Sequence, residues 1–271
     1  MNSPYRVAVV GCAGRMGRMN LATIHAAEGC VIAGGCDLPG SPAIGSDIGL
    51  LIGGEALGVT VGDDPVELFA QADAVIDFTV PAATRRHAVL AAQAEVVYVV
   101  GTTGLAPEDQ AVIDQAAIQT VVVQAANMSL GVNLLQVITE QVARALDADY
   151  DIEIVEMHHH HKVDAPSGTA LMLGEAAAKG RGVALDAVAC KARDGIVGAR
   201  PRGEIGFATL RGGDVAGDHS VIFAAEGEQI VLSHRATNRE VFARGAMKAA
   251  LWGRGQPAGL YSMRDVLGLK D

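Results

Sequence analysis

Residues 6–17 read RVAVVGCAGRMG and residues 31–37 read VIAGGCD. A β-branched run enters a glycine-rich turn, a helical pattern follows over 15–27, and a second apolar run ends on Asp37. That order is the first βαβ unit of a dinucleotide-binding domain. Glycine at 11, 14 and 17 lets the chain bend tightly and lets a pyrophosphate approach backbone N–H groups at the helix start, where the dipole favours anions. Asp37, about 20 positions past the third glycine, is placed to accept from a ribose hydroxyl. The spacing is GxxGxxG, with Cys12 in second place, and alone it reads equally as an ordinary glycine-rich turn. Its position between a first strand and a first helix, with the acid following, decides for the cofactor.

Outward from that unit, apolar runs at 6–10, 31–36, 74–78, 96–100 and 120–124 alternate with helical patterns near 15–27, 82–93 and 107–117. Five such strands predict a Rossmann-like α/β domain with a doubly wound parallel sheet. Ligands bind such sheets at the carboxyl ends of the strands, which here carry DFTVP (77–81) and GTTG (101–104). Gly101, Thr102 and Thr103 can offer backbone and hydroxyl groups to a nicotinamide ribose, or can simply cap a turn. Phe78 and Thr79 carry a weaker signal, because DFT can equally close a core strand.

Past Asn127 the pattern becomes α+β: a helix near 130–146, the strand YDIEIVEM, a helix after Pro166, and strands at 204–210, 220–225 and 229–235, the last two joined through Gly227 as an antiparallel hairpin. A helical pattern over 241–252 and SMRDVLGL, with Ser262 capping three residues before Asp265, return to the first domain. The expected division is 1–128 plus 239–271 for the dinucleotide and 129–238 for the substrate.

Of the 271 residues, half are apolar and 4% aromatic, and the formal net charge is −10. A broad nucleic-acid footprint needs clustered cations, so that class is excluded. No apolar run reaches the roughly 20 residues of a membrane span, and the N-terminus enters a strand without a signal peptide, so a cytoplasmic chain is expected. Cys12, Cys30, Cys36 and Cys190 show no metal-ligand spacing and read as reduced packing thiols. Leu38 offers no cation for a 2′-phosphate, and Asp37 would repel one by about 4 kcal/mol at about 4 Å near a surface. Arg15 and Arg18 either reach such a phosphate or are solvated helix charges, so NADH and NADPH both stay open.

His158, His159, His160, His161 and Lys162 form the densest basic run of this acidic chain. A tag would sit at a terminus. A metal site is not expected, because adjacent residues of an extended chain point to opposite faces and no HExxH or cysteine completes a ligand set. If the extension continues past Met157, His158, His160 and Lys162 share one face and His159 and His161 the other. Pro166-Ser167-Gly168-Thr169 reads as a helix start whose N–H groups, with the Ser167 and Thr169 hydroxyls, can bind a carboxylate or merely be capped. Lys162 supplies fixed charge, and a histidine suits protonation of the electron pair left by hydride delivery to C=N or conjugated C=C. The pattern does not rank the four histidines.

The stretches GCAGRMG, DFTVP, GTTG, ANMSLGVN, EMHHHHKVDAPSGTA, IGFATLRGGDVAGDH and SHRATNREVFARGA, in order along nearly the whole chain, resemble the 4-hydroxy-tetrahydrodipicolinate reductase (dihydrodipicolinate reductase) family. The resemblance implies reduction of that small dicarboxylate to tetrahydrodipicolinate with loss of water, using NADH or NADPH, on the diaminopimelate and lysine route. It further implies a homotetramer assembled through the second domain. It makes His158 the proton donor or acceptor and Lys162 the second catalytic residue, with His159, Gly168 and Thr169 on the substrate carboxylates. Gly11, Cys12, Ala13, Gly14, Arg15, Met16, Asp37, Gly101, Thr102, Thr103, Ala125, Ala126, Asn127 and Met128 would hold the dinucleotide. Met128 stands where the family usually has Phe, an apolar exchange that can still cover a nicotinamide face. Leu38 stands where some relatives carry an Arg that favours the 2′-phosphate. A nucleotide sensor would have no use for the His and Lys cluster, and the absence of a cysteine beside it argues against a thioester-forming semialdehyde dehydrogenase.

Overall fold

The computed structural model describes residues 3–269. In chain order the strands are β1 (Tyr5–Val10), β2 (Cys30–Cys36), β3 (Val61–Gly62), β4 (Ala74–Asp77), β5 (Val97–Val100), β6 (Val121–Gln124), β7 (Asp151–His158), β8 (Ala189–Cys190), β9 (Ile205–Arg211), β10 (Gly217–Ala225), β11 (Glu228–Ala236) and β12 (Gly259–Tyr261). The helices are α1 (Arg15–Ala26), α2 (Ile48–Leu51), α3 (Pro65–Gln71), α4 (Pro81–Ala94), α5 (Pro107–Ala117), α6 (Leu130–Ala145), α7 (Gly168–Arg181), α8 (Leu185–Val188), α9 (Glu240–Gly253) and α10 (Met263–Val266). They form two compact units, Met1–Ser129 with Arg239–Asp271 and Leu130–Asn238.

The first unit holds a parallel sheet in the order β12-β6-β5-β4-β1-β2-β3. AVID and VYVV are buried at every position because helices cover both faces, so they lack the alternation of a half-exposed strand. Val10 pairs with Cys36 and Asp77, Asp77 with Val100, and Val100 with Gln124. This register brings the segments after residues 10, 36, 77, 100 and 124 to one edge, with the strand order reversing about β1, as a doubly wound sheet requires.

Seven strands stand where five were expected. β3 and β12 are two and three residues long, and each is a strand only because a neighbour pairs with it. The fourth strand ends at Asp77, not Phe78. Helix α3 was also not anticipated, although its signal is local: Asp64 accepts from Val66 and Glu67 N–H, and Pro65 occupies the first helical position.

In the second unit the order is β11-β10-β7-β9-β8, antiparallel from β11 to β7 and parallel from β7 to β8. Gly227, at φ +86°, makes the β10–β11 turn. Helices α6 and α7 pack on one sheet face over Leu135, Ile152, Ile154, Leu173, Phe207, Val221 and Phe223. Strand β7 alternates strictly, and its buried positions run Ile152, Ile154, Glu156, His158. The inner face of one strand thus passes from apolar core to a buried acid and base.

Candidate active site

In the first unit Gly11 sits at φ +64°, and a Cβ on Gly17 would lie 2.2 Å from the Gly11 carbonyl oxygen. The first glycine therefore makes the turn and the third lets α1 approach the strand end. The amides of Cys12, Ala13 and Gly14 are already bound, by Cys36 O, Asp37 Oδ2 and Gly11 O at 3.1, 2.9 and 3.1 Å. Those of Arg15 and Met16 fall outside the helical ladder. The α1 start carries no side-chain cap and no acid in its first turn, so its dipole is uncompensated toward an anion. Asp37 accepts from Ala13 and Leu38 N–H and retains lone pairs at a concave surface lined by Ala13, Arg18, Ser41 and Ser46.

Cys12 takes no side-chain part. It is fully buried with its Sγ against Gly35, and burial pushes its thiol up to about 12. Met128 is likewise 1% exposed, and Gly245 of α9 packs on its carbonyl, so it offers little surface to a nicotinamide ring. Asn127 Oδ1 accepts from Ser129 N–H, which shapes the turn at 127–129.

The DFT and GTTG loops are joined by a buried network that sequence reasoning missed. Asp77 Oδ1 accepts from Thr79 N–H, Thr79 Oγ1 and Thr102 Oγ1, while Oδ2 accepts from Tyr98 Oη at 2.5 Å and pairs with His87 Nδ1 at 2.9 Å. Burial acts to raise this carboxyl, but the His87, Thr79 and Tyr98 hydrogen bonds outweigh it and hold Asp77 below the usual range. The Thr102 hydroxyl, expected to face a ribose, is committed here and also accepts from Thr84 Oγ1. Thr103 and Gly104 are exposed. Phe78 lies over Gly101, where a Cβ would come 2.4 Å from its ring. The available signals were the histidine of HAVLAAQ, six residues past Pro81, and the lone tyrosine of VYVV.

In the second unit Glu156 is 1% exposed and organises its surroundings. Its Oε2 accepts from His158 Nδ1 at 2.5 Å and Arg211 Nη1 at 2.8 Å, and its Oε1 accepts from Arg211 Nη2 at 3.0 Å and Ser167 N–H at 3.1 Å. Burial alone would raise the carboxyl, but these hydrogen bonds hold it below its ordinary value. With Nδ1 engaged, Nε2 is the His158 atom left for chemistry. Gly217 of β10 keeps space there, since a Cβ would stand 3.0 Å from that Nε2. His219, also on β10, meets the His158 ring edge-on with centroids 5.0 Å apart.

The extended chain does not continue past His158. Gly212 N–H donates to His158 O, His159 N–H to Val215 O and His160 N–H to Gly213 O, and Lys162 N–H closes a turn on His159 O. The expected faces of His158, His160, Lys162 and of His159, His161 are therefore not formed, and the His160 and His161 rings lie 3.9 Å apart instead. Lys162 Nζ pairs with Asp164 at 2.7 Å, which holds that carboxyl below its usual range. Helix α7 starts where expected. However, Ser167 is 1% exposed, its amide is bound to Glu156, and its Oγ accepts from Ala170 N–H and bonds His219 Nε2, both at 3.1 Å. It builds the helix start from beneath and does not face a ligand. Gly168 is exposed, and a Cβ there would meet nothing within 4 Å. Arg211, Gly217 and His219 come from the IGFATLRGGDVAGDH stretch, which carried the signal but reads locally as a strand and loop. Among the described residues no group of three or more His, Cys, Asp or Glu is placed to hold a metal ion.

Residues 5–128 match the family described as Dihydrodipicolinate reductase, N-terminus, and residues 131–267 that described as Dihydrodipicolinate reductase, C-terminus. A 4-hydroxy-tetrahydrodipicolinate reductase of Dinoroseobacter shibae is 61% identical over 97% of this chain and 98% of its own, and one of Ruegeria pomeroyi is 60% identical over the same shares. A dipicolinate-bound dihydrodipicolinate reductase from Paenisporosarcina sp. TG-14 superposes with a TM-score of 0.76 at 26% identity, covering 96% of this chain and 97% of that one.

Proposed function

The chain belongs to the dihydrodipicolinate reductase family and catalyses NAD(P)H-dependent reduction of 4-hydroxy-tetrahydrodipicolinate to tetrahydrodipicolinate, with loss of water, in diaminopimelate and lysine biosynthesis; from that premise we propose which of its own atoms do the work. The observation that carries the reading is Glu156, one buried carboxylate that ties a proton-carrying imidazole to a carboxylate-binding helix start.

The residues of the first unit fit a dinucleotide: a turn only glycine can make, an uncapped helix start for the pyrophosphate, and Asp37 for a ribose. Gly11 through Met16, Gly101 to Thr103 and Ala125 to Asn127 line its edge, with Phe78 and Met128 in supporting positions. When bound, the nucleotide supplies a hydride. Glu156 fixes the His158 tautomer so that Nε2 moves the proton. The amides of Gly168 and Thr169 hold one substrate carboxylate, and His159 and Lys162 meet substrate oxygens. Lys162 leaves Asp164 to do so. A partly exposed ion pair is worth about 0–1 kcal/mol, so a dicarboxylate competes for the ammonium readily.

Steady-state oxidation of NADH and of NADPH, coupled to enzymatic synthesis of the substrate, tests the reaction. No substrate-dependent oxidation with either nucleotide would sink the assignment. Because the fold does not use the open space at Gly168, Gly168→Ala should leave the thermal midpoint within a few degrees yet weaken pyridine-2,6-dicarboxylate binding severalfold. An unchanged inhibition constant would remove Gly168 from the cradle.

We place the enzyme in the cytoplasm as a homotetramer. The four cysteines are free thiols, as a reducing compartment maintains, and no helix among the described residues is long and apolar enough to cross a membrane. The β7–β11 sheet face opposite the helices presents Val155, Leu210, Ile222 and Val231, with Leu210 and Val231 about half exposed. Sedimentation equilibrium should return four chain masses, and a monomer would refute the assembly.

A further inference from the structure

We propose that His219 is a positioning residue, anchoring the start of α7 through Ser167 so that the helix-start amides hold the substrate carboxylate. The inference rests on the substrate cradle assigned above. His219 is 4% exposed and lies opposite Glu156 across the β7–β10 pair. Ser167 therefore has two side-chain anchors reaching it from below: Glu156 Oε1 on its amide at 3.1 Å and His219 Nε2 on its hydroxyl at 3.1 Å. The same hydroxyl oxygen accepts from Ala170 N–H, so a shift of Ser167 shifts the first turn of α7 with it.

Packing does not account for the imidazole. Its Nδ1 is buried and makes no hydrogen bond, so an apolar side chain of similar size would spare one unsatisfied polar atom. What the imidazole adds is the Nε2 bond to Ser167. Burial, then the neighbouring His158, lowers the His219 pKa to about 4, so at neutral pH it stands uncharged beside the His158 ring.

The test compares His219→Leu, which cannot bond Ser167, with His219→Gln, whose amide can do so in either hydrogen-bond direction. Calorimetric binding of pyridine-2,6-dicarboxylate to the full chain should weaken about tenfold in His219→Leu and recover to within about threefold of native in His219→Gln, with the Kd for NADH unchanged in both. In a Ser167→Ala background, His219→Leu should cost no further affinity, because the bond through which it acts is already gone. Equal losses in the Leu and Gln variants, additivity with Ser167→Ala, or unaltered dicarboxylate affinity would each overturn the proposal. If His219→Leu does not fold, a Gln variant that folds and binds as native upholds it, and one that binds ten times more weakly overturns it. Absence of turnover in a native chain that binds the dicarboxylate would instead strike the assigned reaction and leave the anchor to be judged on binding.

Discussion

Replacing His158 with glutamine lowers kcat by about 10²–10⁴-fold while the Kd for NADH stays at its native value. The expectation follows from position: Glu156 takes Nδ1, Gly217 leaves room at Nε2, and His158 is itself 8% exposed, so its loss removes a proton carrier held in one orientation. Glutamine can keep a hydrogen bond to Glu156 but does not titrate in the working range. Corresponding substitutions of His160 and His161, which are exposed on the turn, should change kcat by less than about tenfold. If His158→Gln turns over like the native enzyme, or if His160 proves equally essential, the proton passes through another group.

Glu156→Gln should be as damaging to turnover and should also reduce stability. An amide at this position presents a donor to His158 Nδ1, which favours the tautomer with its proton on Nε2, and such tautomer reversal costs up to about 10⁴-fold in a comparable carboxylate–imidazole pair. It also leaves the Arg211 guanidinium without its bidentate counter-charge. Breaking a buried ion pair from one side costs about 3–5 kcal/mol, against little or no net cost when both partners are replaced by apolar groups. The double variant Glu156→Leu, Arg211→Met should therefore regain most of the chemical-denaturation midpoint lost in Glu156→Leu while remaining inactive. Recovery of activity along with stability would show that Glu156 serves only the fold.

The same carboxylate gives a pH signature. Its pKa in the folded chain lies below the unfolded value, so around the ordinary carboxylate range the unfolded state binds more protons. The stabilisation is complete above about pH 5 and is lost as pH falls through the folded-state value. Asp77 contributes with the same sign. Native protein should lose stability between pH 5 and more acidic conditions more steeply than the Glu156→Leu, Arg211→Met variant, as read from denaturant midpoints at each pH. Parallel curves would mean that Glu156 titrates alike in both states.

What could be read along the chain was what short spacing encodes. Gly11, Gly14, Gly17 and Asp37 form a turn, a helix start and a strand end within one βαβ unit, and Ser167-Gly168-Thr169 forms a helix start within one turn of chain. YDIEIVEM was legible as a strand, while the burial of Glu156 on its core face with Ile152 and Ile154 came from the structure. Segments 38–73 and 254–262 were harder, because β3 and β12 owe their strand character to β2 and β6 and carry almost no pattern of their own.

By itself, then, the sequence determined the two-domain α/β and α+β plan, the dinucleotide turn and the location of the basic cluster, since each rests on residues a few positions apart. Only the tertiary structure decided that the strand stops at His158, that Glu156 singles that histidine out from its three neighbours, and that Ser167, Thr102 and Cys12 turn inward. Those outcomes depend on partners far along the chain: Arg211 is 55 positions from Glu156, His219 is 52 from Ser167 and Thr102 is 25 from Asp77. Sheet register places Glu156, Arg211 and His219, and a shift of one residue in β7, β9 or β10 would turn its side chain to the other face.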